Sequence, residues 1–281
     1  MVQIVADTLS SIPVPRAKEL GIPFLPQIVI FGNDSYRDDT EMDSDFFLKK
    51  LKSSSQLPKT AAPPPELYKP IYENLIASKQ SIIVVAPSAA LSGTVRGAEV
   101  AAKDFEGADI RVIDTKTIAG GLGEIVLVAD QAAKSGMDID SIETLINDLS
   151  ARSRTYFLVD TLEYLYKGGR IGGASALFGS ILQVKPILTF IDGKTEPFDK
   201  QRTKKKALDR IIELVVLECP KSDEGHLCIS QLGALEEDIA YLVESFKKNL
   251  GITEVHLYSL PPAILTHAGP GAIAVSFIRE K

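Results

Sequence analysis

The residues of this chain best suited to chemistry are small, polar and placed where apolar runs end. Ser92-Gly93-Thr94 follows the run SIIVVA (81–86), at the start of a helical pattern over about 92–104. A helix start exposes free N–H groups and a partial positive charge, and a glycine there lets an anion approach the backbone. No lysine follows the glycine, so this is not a phosphate-binding P-loop. Ser92 also reads as a simple N-cap. Asp7-Thr8 and Asp114-Thr115 end two further apolar runs, and Ser88 precedes the Ser92 cluster. Thr60 lies in LPKTAAPPP, a loop by composition, either as a ligand hydroxyl or as a solvated one. Arg170 stands between the pairs Gly168-Gly169 and Gly172-Gly173, where it suits a carboxylate, a phosphate or a structural acid. His267 precedes a Gly-Pro-Gly turn and is the best chemical candidate of the three histidines. His256 alternates within a strand pattern as an ordinary strand residue, and His226 reads as solvent-facing.

Two chemistries compete for these residues. Ser92 and His267, with Asp7 or Asp114, have the side chains of a serine-type acyl hydrolase. LSGT lacks the Gly-x-Ser-x-Gly elbow that such a nucleophile needs. The other chemistry is anion binding at the carboxyl ends of parallel strands, the usual ligand crevice of an open α/β sheet. After Arg170 the chain is almost free of charge until Lys185, as a core segment or the lining of an apolar cavity would be.

The elements that must position these groups follow from hydrophobic spacing. Apolar runs at 2–7, 82–86 and 110–115 alternate with helical patterns, including those at about 118–133 and 139–153. Uniformly apolar strands alternating with helices predict a parallel sheet covered on both faces. A hairpin is expected within 23–39, a helix at 43–52 capped by Asp43 or Ser44, and another after the prolines at 63–65. The second half reads differently. Strands at 155–160 and 226–231, a hairpin turning at Asp192-Gly193, and helices at about 202–217 and 234–249 predict an α+β unit. The expected division is an N-terminal α/β domain at 1–150 and a C-terminal α+β domain at 151–281.

Bulk composition narrows the function. The chain has 281 residues, a net charge of −6 and 45% hydrophobic residues, which suits a soluble globular protein and argues against general nucleic-acid binding. One basic cluster, KQRTKKK (200–206), holds Arg202, Lys204 and Lys205 and reads as a docking site or a solvated helix start. DNA-linked regulation through this cluster alone is disfavoured by the acidic balance. The acidic stretch 33–45 lacks the order of a calcium loop. Cys219 and Cys228 lack C-x-x-C spacing and are expected as reduced thiols in a cytoplasmic protein, and no histidine–cysteine cluster suggests zinc or another metal. The start MVQIVADTLSS has no basic segment before a long apolar run, so no signal peptide is expected, and no run approaches the ~20 residues of a membrane span.

Taken in order, IVADTLSSIP, LPKT, LSGTVRGAE, VIDTKTIAGGLG, LEYLYKGGRI, the segment from VKPIL to DGKTEPFDKQRTKKKAL, and HAGPG resemble the DegV family across essentially the whole chain. The resemblance implies an N-terminal Rossmann-like three-layer domain, a C-terminal α+β domain with a mixed or antiparallel sheet, and a ligand tunnel between them. It implies a cytoplasmic, non-catalytic carrier that holds one long-chain fatty acid, such as palmitate, stearate or oleate, with no further cofactor. Such carriers present the carboxylate to a separate fatty acid kinase for acyl-phosphate formation. Matched to the family motifs, Thr60, Ser92 and Thr94 hold the carboxylate, and Arg170 and His267 complete the polar network. Arg202, Lys204 and Lys205 then face the kinase or an anionic membrane. The fold also resembles that of dihydroxyacetone kinase, but the apolar segment suits a long chain better than a triose.

The expectation is physically consistent. Each buried CH₂ is worth about 0.8 kcal/mol, so a C16 chain gains on the order of 10 kcal/mol in a dry tunnel before ordering costs. A monoanionic carboxylate needs hydroxyl donors rather than a lysine. The chain departs from the family pattern at Ala61-Ala62, where polar residues are common, and at Ala6-Asp7-Thr8, where T-D-S is common.

Overall fold

The computed structural model describes residues 1–178 and 184–281. The chain begins with β1 (Val2–Asp7), α1 (Val14–Leu20), β2 (Phe24–Leu25), β3 (Ile28–Phe31) and β4 (Asp34–Arg37). Helix α2 (Ser44–Ser53) follows, with the Asp43 carboxylate accepting from the Phe46 N–H as its cap. Then come β5 (Lys59–Ala61), α3 (Pro65–Ala77), β6 (Ser81–Ala86), α4 (Thr94–Ala102), β7 (Ile110–Asp114), α5 (Ala119–Lys134) and α6 (Ile139–Arg152). The remainder is β8 (Ser153–Leu158), α7 (Glu163–Lys167), β9 (Lys185–Ile191), β10 (Lys194–Gln201), α8 (Lys204–Glu218), β11 (Cys228–Gln231), α9 (Glu236–Leu250), β12 (His256–Ser259), α10 (Pro262–Ala268) and β13 (Ile273–Ile278).

The first sheet runs β2-β1-β6-β7 with every pairing parallel. Its strands are mostly apolar because both faces are covered. Val5, Ile82 and Val84 pack on Tyr68, Tyr72 and Ala98 of α3 and α4. Their neighbours Ile4, Ile83 and Val85 point the other way, onto Leu122, Ile125, Ile142 and Ile146 of α5 and α6. The second sheet runs β10-β9-β8-β13-β11-β12 and is antiparallel except for the β11–β12 pair. One face buries Tyr156, Ile229 and Phe277 under α8 and α9. All strands of the first sheet precede residue 115, and all strands of the second follow residue 152.

Helix α5 lies between the two sheets, and almost its whole N-terminal half is buried. Its Gly120 sits where a Cβ would stand 2.6 Å from Ser230 Oγ and 2.8 Å from Cys228 Sγ, so only glycine lets the helix meet the second sheet. Both cysteines are free and buried, and burial pushes the Cys219 thiol up to about 12.

The structure departs from the sequence expectation in one element that matters for the site. The loop expected at LPKTAAPPP contains β5, which pairs with β3 and places Thr60 opposite Val29. With β4 it forms a third, three-stranded antiparallel sheet. Lysine and alanine are poor strand formers, so this strand exists through its pairing rather than its propensity. No helix among the described residues is long and apolar enough to cross a membrane, and they contain no cluster of metal-ligating side chains.

Candidate functional site

A cavity of about 870 Å³, counted with its open mouth, lies between the β3–β5 sheet, the start of α4, helix α10 and the second sheet. Most of its wall is apolar, with Leu9, Ile118, Phe157, Phe190, Leu260 and Ile264 among the lining side chains. Thr60, Ser92, Arg170 and His267, far apart in sequence, all reach it, together with Gln27.

The polar wall is built from several elements. Strand β5 supplies Thr60, whose hydroxyl stands 2.7 Å from His267 Nε2 across 207 residues of chain. The Gly-Pro-Gly turn predicted beside His267 is preceded by helix α10, and His267 occupies its last turn. Burial, reinforced by the nearby Arg170 cation, pushes His267 down to about 4, so the imidazole is neutral at physiological pH. Nδ1 has no hydrogen-bond partner among the described residues, and a Cβ on Gly168 would lie 2.2 Å from it. We assign the ring proton to Nε2, because an Nδ1–H would be a buried donor without an acceptor. Nε2–H then donates to Thr60, leaving the Thr60 proton for a ligand. Arg170 is fixed by donating Nε to the Leu91 carbonyl at 3.1 Å and Nη1 to the Gly168 carbonyl at 2.7 Å.

Ser92 is not the N-cap of α4; Gly93 holds that position without a side-chain cap. Ser92 Oγ instead lies 3.0 Å from Thr94 Oγ1. Thr94 does not line the cavity, being fully buried behind Ser92. Its hydroxyl donates to Asp7 Oδ2 at 2.8 Å and accepts from Gln27 Nε2 at 3.1 Å. With that proton committed to Asp7, the proton of the Ser92–Thr94 bond belongs to Ser92, the hydroxyl that faces the cavity.

Beneath this pair lies a buried acid network. Gln27 Nε2 donates to Asp7 Oδ2 at 2.7 Å, and the Gln27 backbone N–H donates to Asp38 Oδ1 at 2.8 Å. Burial pushes Asp7 up to about 7 against bonds from Thr94, Leu9 and Gln27, and Asp38 up to about 7 against Thr8 and Gln27. Sequence reasoning missed Gln27. A single amide within an apolar stretch carries no spacing signal, though its position before β3 and beside Pro26 was visible.

The triad geometry is not assembled. Ser92 bonds Thr94, His267 bonds Thr60, and Asp7 serves Thr94 and Gln27. Asp114 accepts from the Ala89 and Lys116 N–H groups. His256 is a strand residue, as expected, at the start of β12, but it and His226 both meet one buried carboxylate. His256 Nδ1 lies 2.6 Å from Glu124 Oε1, and His226 Nδ1 lies 3.4 Å from Oε2 of the same carboxylate, which also accepts from Tyr258. Burial raises Glu124, but the bonds from His226, His256 and Tyr258 outweigh it and hold it near about 2. In the basic cluster, Arg202 and Lys205 are exposed, whereas Lys204 is paired with Asp238 at 2.8 Å. The start of α8 tolerates these cations because Thr203 caps it.

The arrangement gathers the Thr60 hydroxyl, the Ser92 hydroxyl bonded to Thr94, a neutral imidazole and one guanidinium at the edge of an apolar cavity. A DegV domain-containing protein of Streptomyces coelicolor is 33% identical over 98% of this chain and 97% of its own length. A Thermus thermophilus DegV family protein, described for its fatty acid binding, superposes with a TM-score of 0.90 at 29% identity, covering 99% of both chains. Bacillus subtilis DegV, described as a fatty acid binding protein, superposes with a TM-score of 0.87 at 29% identity, also covering 99% of both chains. Residues 1–280 match the family described as uncharacterised protein, DegV family, and the chain belongs to that family.

Proposed function

We propose that this protein is a non-catalytic carrier of one long-chain fatty acid. The observation that carries the reading is the single cavity that joins an apolar wall to the hydroxyls of Thr60 and Ser92, beside a neutral His267 and Arg170. The acyl chain packs between the second sheet and α10, against side chains such as Phe157 and Ile264. Thr60 donates to the carboxylate, Ser92 does so by turning its proton away from Thr94, and Arg170 supplies the compensating charge that a buried anion requires. Thr94 acts through Ser92, which it orients from behind. The fatty acid binding described for the Thermus thermophilus and Bacillus subtilis relatives supports this reading.

The same reading divides the chain into domains at 1–150 and 151–281, with the ligand between them, and places the protein in the cytoplasm. It gives the bound acid to the catalytic subunit of a fatty acid kinase, which forms the acyl phosphate for phospholipid synthesis. Arg202 and Lys205, exposed at the start of α8, contact that kinase and, transiently, an anionic membrane, with Lys204 anchored behind them. The test is native mass spectrometry of the protein as purified, with extraction of what it holds. One fatty acid per chain is expected. A protein that arrives empty and refuses added palmitate and oleate refutes the carrier reading.

A further inference from the structure

A second concavity, of about 940 Å³ counted with its open mouth, lies between the segment after β1, the loop from β4 to α2, and the start of α10. It shares no lining residue with the acyl cavity. The carboxylates of Asp38, Asp39, Glu41 and Asp43 line it, and no lysine, arginine or histidine does. Three of these acids already have donors. The Arg37 guanidinium holds Asp39 through bonds of 3.0 and 2.7 Å, the Arg37 backbone N–H donates to Glu41, and Asp43 caps α2. Asp38 differs. Its Oδ1 accepts from Thr8 Oγ1 and from the Gln27 N–H, each at 2.8 Å, but its Oδ2 has no partner among the described residues. Ser11 Oγ, on the same concavity, is also without one. Asp38 is 8% exposed and Ser11 5%, so bulk water is largely kept from both.

We propose that this concavity binds a protonated primary amine carried on a hydrocarbon stem. An ammonium has three N–H donors and no acceptor. One meets Asp38 Oδ2, a second meets Ser11 Oγ, and the third stays in solvent at the mouth. Much of the remaining wall is apolar, with Ile12, Pro13, Met42, Phe46, Pro261 and Pro262, and the stem packs there while its head stays polar. Acids at the rim, with no cation in the lining, draw such a ligand in. Binding also relieves the cost of burying Asp38 as an unpaired anion. A guanidinium fits less well, because its forked donors call for both carboxylate oxygens and Asp38 Oδ1 is engaged. So does a divalent metal ion, because the described residues contain no group of three His, Cys, Asp or Glu side chains placed to hold one. The proposal is independent of the fatty-acid reading.

The test follows the Met42 methyl group by NMR in methionine-labelled protein, with Met1 and Met137, which do not line the concavity, as internal controls. Pentylamine, pentanol and Nα-acetyl-lysine methylamide are titrated at pH 8, where the amines are cationic and Asp38 is ionised. Pentylamine is expected to shift Met42 alone and to bind about tenfold or more tighter than pentanol, the difference a charged partner makes. If the blocked lysine binds as well, the natural source is a protein side chain; if pentylamine binds and the blocked lysine does not, it is a free amine; both results support the proposal. Asp38→Asn should lose about tenfold for pentylamine and less than about twofold for pentanol. Ser11→Ala, which leaves the carboxylate in place, should lose about two- to tenfold for pentylamine. The proposal is overturned if pentylamine leaves Met42 unmoved, if pentanol binds as tightly, or if both variants keep the wild-type affinity. Should Asp38→Asn fail to fold, Ser11→Ala and the amine–alcohol difference in the wild type decide.

Discussion

Replacing Thr60 with valine removes one hydroxyl and leaves the side-chain shape nearly unchanged. Two contacts go with it: the bond to His267 Nε2 at 2.7 Å and the donor assigned to the carboxylate. A hydrogen bond to a charged group contributes roughly 1.5–3 kcal/mol, so palmitate affinity is expected to fall by about tenfold to a hundredfold. The neutral hexadecanol lacks the charge, so its affinity should change by only about two- to tenfold, the effect of an ordinary hydrogen bond. The assay is displacement of a fluorescent fatty acid by both ligands at pH 7.5, with Ser92→Ala measured in parallel. In the wild type, palmitate should win over hexadecanol, and each variant should narrow that preference. Part of the loss belongs to the protein: the stranded Nε2–H lowers the stability of the unliganded variant, which urea denaturation measures separately. If Thr60→Val and Ser92→Ala keep the wild-type preference for palmitate, the carboxylate is not held where this reasoning places it.

Other expectations concern stability. Glu124 is held near about 2 rather than 4.5, a difference of about 3 kcal/mol that is present above pH 4.5 and lost as pH falls towards 2. Glu124→Gln should therefore be less stable at pH 7 and should flatten the acid limb of urea midpoints against pH; an unchanged acid limb would count against the His226–His256–Glu124 network. Asp7 and Asp38 carry the opposite sign. Their folded-state values of about 7 lie above the unfolded value near 3.8, so the native state binds more protons and stability declines as pH rises from 4 to 7. Urea midpoints that rise over this interval would contradict their placement. Gly120→Ala forces a methyl within 2.6–2.8 Å of Ser230, Tyr258 and Cys228, and should cost about 1–3 kcal/mol in calorimetry, despite the better helix propensity of alanine.

Spacing alone was enough to read the parallel sheet, the alternation of strands and helices, the Asp192-Gly193 hairpin and the long helices α5, α8 and α9. These are local patterns, and an apolar strand covered on both faces writes its burial directly into consecutive residues. Residue types after a strand, in a proline-rich loop, between glycine pairs and before a Gly-Pro-Gly turn also singled out Ser92, Thr60, Arg170 and His267 as candidates. What remained undecided was which of them meet. The Thr60–His267 bond spans 207 residues, and it depends on β5, a strand that its own residues do not favour and that only pairing with β3 creates. Thr94 and Ser92 look alike two positions apart, yet the packing of β1 against α4 turns Thr94 towards Asp7 and leaves Ser92 on the cavity. Gln27 carries no pattern at all and gains its role from the two buried acids it bridges. His256 and His226 read as ordinary residues until α5 brings Glu124 between them. Local propensity depends on neighbours a few residues away and is legible in sequence. The partner of a buried polar group is set by which distant elements the packing brings together, and only the tertiary structure decides that.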